Sequence, residues 1–64
     1  MHYLEHLLQC KFIQIVAKHG NGKWAIDELE WLIYDKYKAF YDDLPEEDKF
    51  IIGRYISSLR KLHG

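Results

Sequence analysis

From Tyr3 to His19 the apolar residues Leu4, Leu8, Phe12, Ile15 and Val16 recur three and four positions apart, and Leu7, Ile13 and Ala17 widen the stripe. Residues so spaced share one face of a helix with 3.6 residues per turn, which predicts a largely buried helix over 3–19. Lys18 and His19 suit its negative end, and Gly20 can take the left-handed cap conformation. A second pattern competes locally. Phe12-Ile13-Gln14-Ile15-Val16 has strong strand propensity and Asn21-Gly22 is a favoured hairpin turn, so the alternative is an α+β chain with a short hairpin at 12–26.

The next stripe is Ile26, Leu29, Ile33, Tyr37, Phe40 and Leu44, with Asp27, Asp35, Lys38 and Asp42 opposite. Asp27 and Glu30 have the spacing of a capping box, and Ile26 and Trp31 that of a hydrophobic staple around it. A helix over 27–43 is therefore expected, preceded by a linker that carries Trp24. Pro45 suits the first turn of a third helix, Asp43 and Glu46 repeat the capping spacing, and Glu46, Glu47 and Asp48 favour its positive end. Ile51, Ile52, Tyr55, Ile56, Leu59 and Leu62 supply its apolar side, which gives a helix over 45–62. Short connections favour antiparallel neighbours. The expected fold is all-α, a small three-helix bundle forming a single domain over 1–64.

Composition sharpens this picture. A 64-residue chain with 48% hydrophobic and 16% aromatic residues has more ring area than three short helices hide. A protein partner or a homodimer is thus expected. The one cysteine, Cys10, forms no internal disulfide, and no cationic, apolar leader opens the chain, which fits a cytoplasmic location. The apolar run from Leu7 to Ala17 is too short and too interrupted for a membrane span. Although the net charge is −1, residues 27–48 hold nine carboxylates against Lys36 and Lys38, whereas 49–64 hold Lys49, Arg54, Arg60 and Lys61 without an acid. Such polarity can guide a partner's approach.

Candidate chemistry is sparse. His2, Glu5 and His6 spell H-x-x-E-H, which resembles the zinc pattern of inverzincin proteases. The likeness covers five residues, a third ligand and a cleft are lacking, and Cys10 extends it only to a His2, His6, Cys10 stripe. No metal, cofactor or catalytic residue is assigned, and the chain is read as non-enzymatic. Lys18-His19-Gly20-Asn21-Gly22-Lys23-Trp24 resembles the junction between the first two helices of Myb/SANT repeats, with Tyr3 near the place of their first core tryptophan. The second helix is too long for that family and no third-helix tryptophan follows, so the likeness is confined to helix-end chemistry.

The aromatic set stands out more. Trp31 falls among charges on the helical wheel, Phe50 falls among Arg54, Ser57 and Lys61, and Tyr34 and Tyr41 edge the second stripe. Tryptophan and tyrosine beside charges are common at protein interfaces. Trp31, Tyr34, Tyr41 and Phe50 are therefore the expected partner-binding residues of a small regulator or inhibitor, and the composition suits an accessory protein of a phage or mobile element. The alternative is a helix-turn-helix DNA-binding regulator that sets Arg54, Arg60 and Lys61 of the third helix on phosphates.

Overall fold

The computed structural model describes residues 2–63. Its elements are α1 (Tyr3–His19), α2 (Gly22–Trp31), a π-helical turn (Leu32–Lys36), α3 (Lys38–Asp42) and α4 (Glu46–His63). The chain is all-α. There is no strand among the described residues, so the hairpin alternative at 12–26 is not adopted.

α1 has the bounds that its stripe predicts. His2 precedes it in extended backbone, and its ring Nδ1 accepts from the Leu4 N–H at 3.1 Å. At the other end Gly20 sits at φ 70° and donates its N–H to the Val16 carbonyl at 2.6 Å. A side chain at that left-handed position costs about 1 kcal/mol. Gly20→Ala should therefore lower stability by about 1 kcal/mol, read as a shift of the urea midpoint without a change of slope.

The second helix begins five residues earlier than its capping box suggests. Asn21, in extended backbone, accepts from the N–H groups of Lys23 (2.9 Å) and Trp24 (3.3 Å) through its side-chain oxygen, and the helix starts at Gly22. Asn21-Gly22 is thus a helix cap, not a hairpin turn. Asp27 lies inside the helix, so neither the capping box nor the staple with Ile26 forms; Ile26 and Ala25 have no exposed surface at all. Burying these two residues against the core outweighs the local preference of Asp27 for a cap.

The stretch 27–43, expected as one helix, is interrupted. Around Leu32–Lys36 the Tyr37 N–H bonds to the Leu32 carbonyl at 3.0 Å, five residues back, and Tyr37 itself leaves helical geometry (φ −110°, ψ 36°). The additional residue in that turn rotates the following segment about the helix axis. Tyr37 and Phe40, expected in the core wall, are consequently 54% and 66% exposed, while Tyr41 turns inward. α4 begins immediately after Pro45, whose carbonyl accepts from Asp48 and Lys49. Three acids occupy its first turn and Arg60, Lys61 and His63 its last, each sign at the helix end that favours it.

Three faces meet in one core. α1 contributes Leu4, Leu8, Phe12 and Ile15; α2 contributes Ala25, Ile26 and Leu29; α4 contributes Ile51, Ile52, Ile56 and Leu59. Polar ties cross the seams between elements. Arg60 on α4 donates to Asp27 at 3.1 Å and to Glu30, both on α2, and these bonds raise the guanidinium's pKa. No helix among the described residues is long and apolar enough to cross a membrane.

Candidate functional site: an apolar groove beside α1

Because α3 is rotated by the π turn, it does not close over α1. Between them lies a groove of about 390 Å³ lined by Leu4, Leu7, Leu8 and Lys11 of α1, Leu29, Leu32, Ile33 and Tyr37 from α2 and the π turn, Phe40, Tyr41 and Leu44 from the segment after it, and Ile52 of α4. Its floor consists of core residues: Leu8, Leu29 and Ile52 are each less than one-tenth exposed. Its rim is different. Leu7, Tyr37 and Phe40 each leave more than half their surface to solvent, and every lining residue except Lys11 is apolar or a tyrosine.

One wall of the groove is stiffened by aromatic packing. Tyr34 and Tyr41 meet edge to face with centroids 5.0 Å apart, across the π turn. Burial and the neighbouring Tyr41 raise the Tyr34 phenol's pKa. The Lys49 ammonium of α4 lies 5.6 Å from the Tyr41 ring, and Lys36 lies 5.5 Å from Tyr37 and 5.9 Å from Trp31. Each distance is within the range of a cation–π contact.

The expected partner-binding residues are thus divided by the fold. Tyr41 lines the groove and Tyr34 supports it. Trp31, 51% exposed, lies with Trp24, His19, Asp27 and Glu28 around a separate shallow depression. Phe50 stands on α4, 68% exposed, with the Arg54 guanidinium 6.0 Å from its ring. Leu7, Tyr37 and Phe40 were the residues the sequence assigned to buried stripes. The only sign of their exposure was that Leu7 widens the α1 stripe beyond what one core face holds.

The basic residues of α4 are mostly engaged. Arg60 is clamped by Asp27 and Glu30, and Arg54 lies 3.9 Å from Glu5; Lys61 alone of the three has no carboxylate partner among the described residues. The H-x-x-E-H residues point to different neighbours. His2 caps α1 with its Nε2 3.6 Å from Asp48, Glu5 faces Arg54, and His6 lies 3.8 Å from the Cys10 sulfur. No metal-binding group of three or more such side chains occurs among the described residues.

At the α1–α2 junction Glu28 accepts from the His19 ring at 2.8 Å and has Lys18 at 3.9 Å. The His19 hydrogen bond, then the Lys18 charge, lowers the Glu28 pKa below 4.5. A carboxylate with a lowered folded-state pKa stabilises above its unfolded value, and that contribution disappears as pH falls through the folded value. Glu28→Gln should therefore flatten the decline in thermal midpoint that the native chain shows as pH is lowered from about 6 to about 3. An equal decline in both proteins would refute the assignment.

Comparison with protein-family models, with curated proteins and with solved structures gives no match, so the functional reading rests on this geometry.

Proposed function

We propose that this chain is a non-enzymatic protein-binding module, a small regulator or inhibitor that acts by seating apolar side chains of a protein in the groove beside α1. A single observation carries the reading: an apolar groove whose floor is core and whose rim, Leu7, Tyr37 and Phe40, is more than half exposed. Contiguous apolar surface of this kind is costly in water and marks interaction sites. Aromatic rim residues around an aliphatic floor also match the composition of interface centres. A nucleic-acid reading of α4 has less support, because Arg60 and Arg54 already face carboxylates.

The test is site-specific photo-cross-linking in cells. A benzoylphenylalanine at position 40 should give discrete protein adducts, with this chain or another, whereas the same group at exposed Ser57 should not. Equal yields at both positions would remove the proposal.

A further inference from the structure

The groove beside α1 is electrostatically one-sided. None of its lining residues carries a carboxylate, and the one charged residue among them is Lys11. Two further ammonium groups lie against its aromatic wall, Lys36 at 5.5 Å from the Tyr37 ring and Lys49 at 5.6 Å from the Tyr41 ring. Lys49 is paired with Glu46 at 3.5 Å, whereas Lys11 and Lys36 form no ion pair among the described residues. The Lys11 charge does reach Glu28, but His19 and Lys18 already hold that carboxylate. An apolar space bordered by cations and free of acid on its walls favours a ligand that is apolar along its length and negative at one end.

Shape points the same way. Leu4, Leu7, Leu8 and Lys11 follow one another along two turns of α1, about 10 Å of helix, so this wall is a row of leucines ended by a cation. That is the length and polarity of a medium-chain acyl carboxylate. The floor is closed by core residues, Leu8, Leu29 and Ile52. The volume of about 390 Å³ falls within the range of small-ligand clefts, about 300–1,000 Å³.

We infer that the groove binds one free medium-chain fatty acid, its acyl tail along the leucine row and its carboxylate beside Lys11, an occupant beyond the protein-binding reading and in competition with it for the same space. A neutral hydrocarbon would leave the cations unused. An amphiphile with a positive head would set like charges side by side next to an apolar wall, where the repulsion is screened less than in water.

Isothermal titration of the full chain with decanoate, kept below its micelle-forming concentration, should give saturable binding of one molecule per chain. Octanoate, shorter by two methylenes, should bind roughly tenfold more weakly, since each buried methylene is worth about fourfold in affinity. Decyltrimethylammonium, the same tail with a positive head, should bind at least about tenfold more weakly than decanoate. Lys11→Glu, at an exposed helical position, should weaken decanoate binding about tenfold with helicity by circular dichroism unchanged; Lys11→Gln gives the same reading with a smaller loss should the reversed charge disturb the fold. Lys61→Glu, the same change of net charge on α4 outside the groove, should leave binding as it is. Absence of saturable binding, equal binding of decanoate and decyltrimethylammonium, many molecules bound per chain with loss of helicity, or indifference to both Lys11 variants would overturn the inference. If decanoate fails to bind while position 40 still forms protein adducts, the fatty acid is excluded and the protein-binding reading stands; decanoate binding without adducts does the reverse.

Discussion

Ile26→Ala should destabilise the protein by about 3 kcal/mol, within the usual cost of removing a fully buried branched side chain. Ile26 has no exposed surface and lies in the first turns of α2, against the core built by α1 and α4. In a 64-residue domain, whose total stability is a few kcal/mol, that loss leaves a substantial unfolded population at 25 °C. Trp24→Ala, two residues earlier and on the same helix, should change stability by less than about 0.5 kcal/mol, because Trp24 is 66% exposed. Urea denaturation of both variants decides the matter. If residues 22–26 were a linker, the two substitutions would have similar, small effects.

The second large effect separates two phenylalanines. Phe12→Ala should cost about 3–5 kcal/mol, since Phe12 is 8% exposed and its ring also meets His63 of α4 at 5.5 Å between centroids. Phe40→Ala should cost less than about 0.5 kcal/mol, because 66% of that residue already faces solvent. Both phenylalanines occupy apolar positions of a helical stripe, so periodicity does not separate them: Phe12 is covered by the core, and Phe40 follows the π turn and is left exposed. The contrast also has a functional edge: Phe40→Ala should reduce binding at the groove while leaving the fold intact, which is the signature of a rim residue and not of core. Decanoate titration alongside urea denaturation measures both properties on the same samples.

The candidate site was only partly legible in the sequence. Tyr34 and Tyr41 were recognisable as aromatics at the edge of a stripe, and the structure brings them together at the wall of the groove. Trp31 was recognisable as out of register, and it is indeed on the surface, yet beside Trp24 and away from Tyr41. Tyr37 and Phe40 gave no local sign of exposure, and Leu7 only the width it adds to the α1 stripe, because apolar periodicity states which residues share a face and is silent on whether another element covers it.

What the sequence by itself determined is the all-α class, the extent of α1, the stop at Gly20, the restart after Pro45 and the apolar face of α4. These depend on interactions within a few residues: periodicity, a left-handed glycine, a proline without an N–H, and charges at helix ends. Tertiary structure alone decided where α2 begins, where the following segment is interrupted, and which apolar residues remain uncovered. Asn21 and Asp27 are both competent caps, and the choice between them falls to the burial of Ala25 and Ile26 against α1 and α4. The π turn accommodates Tyr34 and Tyr41 on the core side at the expense of Tyr37 and Phe40. That exchange involves helices distant in sequence, and it is what leaves the groove open.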